Sequence, residues 1–172
     1  AEYQARIARA QAMMREQDIA ALFLAAGSNL QYFTGVQWHP SERMVGAILP
    51  ASGALEYLAP AFEEGTVRDF QVVPGVINTW QEHESPYVLL LNCLKRLGIL
   101  PNDGAQPKVG LCSSLPFFMF EGIRQLTSGY RFVDAGGITT ACRQSKSPAE
   151  IALMQRAKDM TLEVHKAAAS IL

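Results

Sequence analysis

Ile19-Ala20-Ala21-Leu22-Phe23-Leu24 is an unbroken apolar run of strand length. A strand with one face in water alternates apolar and polar residues, so a run without alternation reads as a strand buried on both faces. Such a strand needs a layer above it and a layer below it. On its N-terminal side, Tyr3, Ile7, Ala10 and Met14 share one helical face while Arg6, Arg9, Arg15 and Glu16 lie off it. That spacing predicts an amphipathic helix ending near Gln17. On its C-terminal side, Gly27-Ser28-Asn29 breaks the run, and Ser28 or Asn29 can cap a short helix through Phe33 that Gly35 ends.

Outward from there, helices and strands keep alternating. Residues 43–49 read as a strand, Pro50-Ala51-Ser52-Gly53 as a turn, and residues 55–58 as the hairpin partner. Residues 62–67 read as helical, and residues 70–73 as a strand stopped by Pro74-Gly75. Ser85-Pro86 opens a capped helix to about Leu97, closed by Gly98. Residues 101–107 form a loop, 108–111 a strand, 116–126 a helix with Phe117, Phe120 and Ile123 on one side, and 130–133 a strand. Gly136-Gly137 leads into a brief helical segment at 138–142. This order predicts an α/β three-layer sandwich: a mixed sheet of about six strands with helices on both faces, the mid-chain hairpin excluding a purely parallel sheet.

The last helix has the best-defined start. In Arg143-Gln144-Ser145-Lys146-Ser147-Pro148-Ala149-Glu150-Ile151, Ser147 reads as N-cap, Pro148 as first helical residue and Glu150 as reciprocal partner, a capping box. Leu153, Ala157, Met160, Val164, Ala168 and Ile171 form one apolar stripe behind it. No Gly, Asn or Pro closes this helix before Leu172, and the stripe needs a surface to lie on. Residues 1–145 are expected to form one domain. Residues 146–172 are expected to be the linker and first helix of a second domain that lies beyond this chain.

The chain has 172 residues, 49% hydrophobic and 18% charged, enough to bury a core and too apolar for disorder. A formal net charge of -1 without a basic cluster argues against nucleic-acid binding. Cys93, Cys112 and Cys142 are scattered and form no C-x-x-C pair, so they read as buried thiols of a reducing compartment. The polar N-terminus is no signal peptide, and no apolar run approaches the roughly 20 residues that span a bilayer. A soluble cytoplasmic protein without membrane partners is the expectation.

Two stretches, Asn29-Leu30-Gln31-Tyr32-Phe33-Thr34-Gly35 and the Arg-x-x-Lys-Ser-x-x-Glu-Ile run beginning at Arg143, resemble motifs of the creatinase, aminopeptidase P and prolidase family. The second is similar to the junction where that family's N-terminal domain ends and its catalytic domain begins. The resemblance covers essentially the whole chain. It implies the non-catalytic N-terminal domain of a proline-directed metallopeptidase, an Xaa-Pro dipeptidase or aminopeptidase. It also implies a homodimer through this domain, a C-terminal catalytic domain with two divalent ions (Mn, Co or Zn), and a proline-containing peptide substrate. The N-terminal domain of a creatinase- or ectoine-type amidohydrolase, and a free-standing interaction module of the same fold, stay open as alternatives.

His39, His83 and His165 are far apart, without an H-x-x-x-H or H-E-x-x-H neighbour, so no catalytic residue and no metal ligand is assigned in this chain. No G-x-S-x-G elbow and no G-x-G-x-x-G loop occurs. One loop is singled out, Gly35-Val36-Gln37-Trp38-His39-Pro40-Ser41-Glu42-Arg43, where Trp38, His39 and Arg43 converge and a peptide carboxylate would suit His39 and Arg43. In the family this loop of one subunit reaches the partner's catalytic pocket, so the resemblance implies substrate contacts there. The plainer readings are a solvated His39, an Arg43 paired with Glu42 or another surface carboxylate, and Trp38 as a dimer anchor. Tyr32 and Phe33 read as core.

Overall fold

Seven helices and six strands make up the chain in a computed structural model that describes residues 2–102, 104 and 106–171. In chain order they are α1 (Glu2–Glu16), β1 (Ile19–Ala25), α2 (Ser28–Thr34), β2 (Gly46–Pro50), β3 (Glu56–Pro60), a 3-10 turn (Ala61–Glu63), α3 (Glu64–Phe70) and β4 (Val76–Trp80). Then follow α4 (Pro86–Arg96), β5 (Lys108–Leu111), α5 (Phe117–Leu126), β6 (Arg131–Asp134), α6 (Gly136–Gln144) and α7 (Pro148–Ala169). The chain divides into two compact units, Ala1–Cys142 and Arg143–Leu172.

In the first unit the strands form a single sheet in the order β4-β3-β2-β1-β5-β6. β2 is antiparallel to both its neighbours, while the pairs β3–β4, β1–β5 and β5–β6 are parallel. Every strand except β2 therefore points the same way, and the sheet is mixed, as the hairpin signal requires. β1 lies inside it with both faces covered. Leu22 and Leu24 enter one core with residues of α1, α2, α3 and α6. Ala21, Phe23 and Ala25 enter the other with residues of α4 and α5. That is why the opening hexapeptide has no polar face. The architecture is the three-layer α/β sandwich.

Three local expectations are corrected. The strand expected at 70–73 is absent: α3 runs through Phe70, and the strand is β4, after Pro74-Gly75. Those two residues lead into the strand, where β4 pairs in parallel with β3, and Gly75 passes so close that a Cβ would lie 2.6 Å from the Leu55 carbonyl oxygen. β2 begins at Gly46, later than Arg43, since residues 43–45 are still completing the preceding loop. α2 is capped by Gly27 without a side-chain bond, so neither Ser28 nor Asn29 caps it. In α5 the buried residues are Met119 and Ile123, while Phe117 is 76% exposed, because the helix's first residue overhangs the core.

The capping signals appear where the sequence places them. The Val88 amide donates to Ser85 Oγ at the start of α4 (3.4 Å). At α7, the Glu150 amide donates to Ser147 Oγ (3.2 Å) and the Ser147 amide donates to Glu150 Oε2 (2.8 Å), both halves of a capping box. α7 closes at Ala169 with Ser170 as its C-cap; Leu172 lies outside the described residues. The stripe residues Leu153, Met160, Val164 and Ile171 are all exposed. No described helix is long and apolar enough to cross a membrane.

Candidate functional site

Because five of six strands are co-directional, one edge of the sheet collects the loops leaving β1, β3, β4, β5 and β6 and the loop entering β2. In open α/β sheets this carboxyl edge is where ligands are met. The loop over residues 36–43 lies on it. The block before that loop is architectural. Phe33 and Thr34 are fully buried, and Thr34 Oγ1 donates to the Leu30 carbonyl (2.7 Å) while accepting the Val36 amide (3.1 Å). The Thr34 carbonyl accepts the amides of Val72 and Val73 (3.0 and 3.2 Å). Tyr32 Oη donates to the Cys142 carbonyl (2.7 Å), and Arg6 donates to the Tyr32 carbonyl (2.8 Å). Gly35 has φ +84°, and a side chain there would collide with Val72, whose Cβ lies 2.7 Å from the would-be atom. Only glycine combines that conformation with that approach.

Beyond Gly35 the ties thin out. Val36 is buried and Trp38 is half-buried against the first core, but His39, Pro40, Ser41 and Glu42 are exposed. His39 makes no side-chain hydrogen bond or ion pair among the described residues. The loop is anchored again at its far end. The Arg43 amide donates to Ser41 Oγ (3.2 Å), Trp80 Nε1 at the end of β4 donates to the Met44 carbonyl (3.3 Å), and the Ala26 amide donates to the Val45 carbonyl (3.0 Å).

The bond from Trp80 to Met44 brings residue 43 beside the turn after β4. There Arg43 donates through Nε and Nη2 to the two carboxylate oxygens of Glu82 (3.1 and 3.0 Å), a bidentate fork. Nη1 donates to Glu42 (2.5 Å), and the guanidinium carbon stands 5.6 Å from the centre of the Phe62 ring, itself 61% exposed. The hydrogen bonds and charge of Glu82 raise the Arg43 pKa further, and the bond from Arg43 holds the Glu82 carboxyl below its ordinary value. Glu82 was hidden in the sequence inside the Glu82-His83-Glu84 run, which reads as solvated charge. Its 39-residue separation from Arg43 is closed only by the sheet. Of the three residues singled out, Trp38, His39 and Arg43 share the loop, but no hydrogen bond joins their side chains.

Cys93, Cys112 and Cys142 are free and buried. Burial pushes the thiols of Cys93 and Cys142 up, away from the reactive thiolate. His83 and His165 are exposed. Among the described residues no group of three His, Cys, Asp or Glu side chains could hold a metal ion.

Comparison with known proteins agrees with this architecture. Residues 6–145 match the family described as Creatinase/Prolidase N-terminal domain. YkvY of Bacillus subtilis, which carries the name of a dipeptidase, is 28% identical over 166 residues, covering 95% of this chain and 44% of that protein. A peptidase of Schizosaccharomyces pombe, itself uncharacterized, is 25% identical over 94% of this chain and 36% of its own length. The prolidase of Thermococcus sibiricus shares the fold with TM-score 0.83 at 23% identity, over 97% of this chain and 44% of that one. The N-terminal domain of an X-Pro dipeptidase from Streptococcus pyogenes superposes with TM-score 0.61 at 17% identity, over 80% of this chain and 98% of that one. The chain thus spans less than half the length of the curated relatives it matches. With the family description matching 140 consecutive residues, the chain belongs to the creatinase/prolidase N-terminal domain family.

Proposed function

We propose that this chain serves a proline-directed metallopeptidase, an Xaa-Pro dipeptidase or aminopeptidase, as its non-catalytic N-terminal domain. Residues 1–145 would form that domain, and residues 146–172 would lead into the catalytic half. Its work would be dimerisation and closure of the partner subunit's active site by the loop that carries Trp38, His39 and Arg43. The parent enzyme would be a cytoplasmic homodimer whose two divalent ions, Mn, Co or Zn, are held by the catalytic half. The described residues offer no ligand set for those ions, so none of their chemistry is assigned to this chain.

The observation that carries the reading is the guanidinium of Arg43 on the carboxyl edge, already arranged as a bidentate carboxylate receptor. Glu82 fills it in this chain. The pair is solvent-exposed, with side chains 41% and 55% accessible, and exposed ion pairs of this kind exchange partners at little cost. A peptide's terminal carboxylate would replace Glu82 in the fork when the loop meets the partner's pocket.

The test is kinetic, in the full-length enzyme. Arg43→Ala should lower kcat/KM for an Xaa-Pro dipeptide by about 10- to 100-fold, and Arg43→Lys should recover only part of it, because lysine lacks the planar fork. A substrate with an amidated carboxyl should lose much less. Equal losses on free and amidated substrates would remove Arg43 from the site.

A further inference from the structure

A concavity opens on the same carboxyl edge. It shares no lining residue with the Arg43 loop, although that loop meets Pro116 and Met119 at the start of α5. It lies where β5 and β6 end and α5 begins, and encloses about 320 Å3. Phe117, Phe120 and Phe132 line it, with ring centroids 6.3 Å apart from Phe117 to Phe120 (tilted) and again from Phe120 to Phe132 (edge to face). Ser113 and Asp134 supply the polar part of the lining. No Lys, Arg or His lines it. Asp134 Oδ1 accepts the Gly136 amide (2.8 Å), whereas Oδ2 has no protein partner among the described residues.

Three aromatic rings beside an exposed carboxylate that keeps one oxygen unbonded are the chemistry of an organic cation. An aromatic face is the negative pole of its quadrupole and attracts a cation within about 6 Å, most strongly where water is displaced. The carboxylate balances the charge and repels anions. A neutral apolar guest would use the rings and leave Asp134 unanswered. The volume falls at the lower end of the range for small-molecule sites, roughly 300–1,000 Å3. We propose that this cavity binds a small alkylammonium ion, its methyl groups against Phe117, Phe120 and Phe132 and its charge toward Asp134. Nothing in this proposal depends on the Arg43 loop or on peptidase activity.

The purified 172-residue chain is titrated with choline and, separately, with 3,3-dimethyl-1-butanol, which has the same shape without the charge, while backbone amide NMR signals are followed. Choline should shift the amides of Ser113, Phe117 and Phe132 along one saturable curve, and bind at least about five-fold more tightly than the alcohol. Asp134→Asn should weaken choline several-fold and leave the alcohol unchanged. Asparagine keeps the oxygen that accepts the Gly136 amide, so the start of α6 is preserved. Phe117→Ala should weaken choline too without moving the thermal midpoint, since Phe117 is 76% exposed. Equal affinity for the two probes would overturn the proposal, as would shifts elsewhere in the chain or no saturation by about 50 mM choline.

Discussion

Two consecutive stretches, 29–35 and 36–43, face opposite demands. In the first, Leu30, Phe33 and Thr34 have no accessible surface, and hydroxyl and carbonyl groups are bonded to three other parts of the domain: α1, residues 72–73 and α6. In the second, only Val36 is buried, and the side chains from His39 to Glu42 stand in solvent. The stretch most recognisable as a family motif is thus the one that builds the scaffold. The stretch with the looser pattern is the one whose side chains stand largely in solvent. A motif's recognisability measures how many contacts constrain it, and contacts inside the domain constrain as firmly as contacts to a substrate.

The contrast is sharpest at Gly35. Gly35→Ala forces a β-carbon into a left-handed backbone and into Val72, and should destabilise the domain by about 3 kcal/mol. Urea denaturation would measure this, and a loss below about 1 kcal/mol would show that the motif is less constrained than its geometry states.

A smaller effect is expected at Tyr57, which reaches the segment that the Thr34 carbonyl also holds. Its hydroxyl donates to the Val73 carbonyl (2.6 Å). Tyr57→Phe should cost about 1 kcal/mol at neutral pH. Burial pushes the Tyr57 pKa up from 10.0 to about 12. A raised folded-state value means that the unfolded chain ionises first, so this contribution is intact below pH 10 and is lost as pH rises from 10 to 12. Thermal midpoints measured across that window should fall more steeply for the wild type than for Tyr57→Phe.

The smallest effect belongs to the open loop. Arg43→Ala and Glu82→Gln should each leave the denaturation midpoint of the isolated chain where it is, because the pair is exposed and screened by salt. A clear drop in either variant would move Arg43 to the scaffold side of the comparison.

Much of the fold was legible in the sequence, for reasons that differ by element. β1 announced itself by lacking alternation, and α4 and α7 by their Ser-Pro starts. β4 was misplaced because Phe70, Val72 and Val73 carry the apolar signal while Pro74-Gly75 reads as a stop. In the structure Phe70 and Val72 are 46% and 58% exposed, and pairing with β3 recruits the residues beyond the glycine. Tertiary pairing overrode a local signal there. In the loop, the pairing of Arg43 with Glu42 was legible from their adjacency. Glu82 and Phe62 were not, since their proximity to Arg43 is set by the Trp80–Met44 bond and the strand order. The cavity beside Phe117 was not legible, since the ends of β5 and β6 and the start of α5 meet only in the fold.

The lone reversed strand also bears on how the chain assembles. β2 and β3 pair across a tight turn, with Ala47 opposite Tyr57, whereas β1 must find β5 with Leu22 opposite Gly110. By the logarithmic rule for loop closure, joining ends 10 residues apart costs about 2 kcal/mol and joining ends 88 apart about 4 kcal/mol, before any shared constant. The β2–β3 hairpin can therefore form from local chain alone, and β1 can add to it once α2 is in place. The pairing of β1 with β5 has to wait for nearly two-thirds of the chain, and the last strand, β6, can join only after that. A ribosome releasing this sequence would expose a half-sheet ending at β1, its edge free and the face opposite α1, α2 and α3 uncovered, until α4, β5 and α5 emerged to close it.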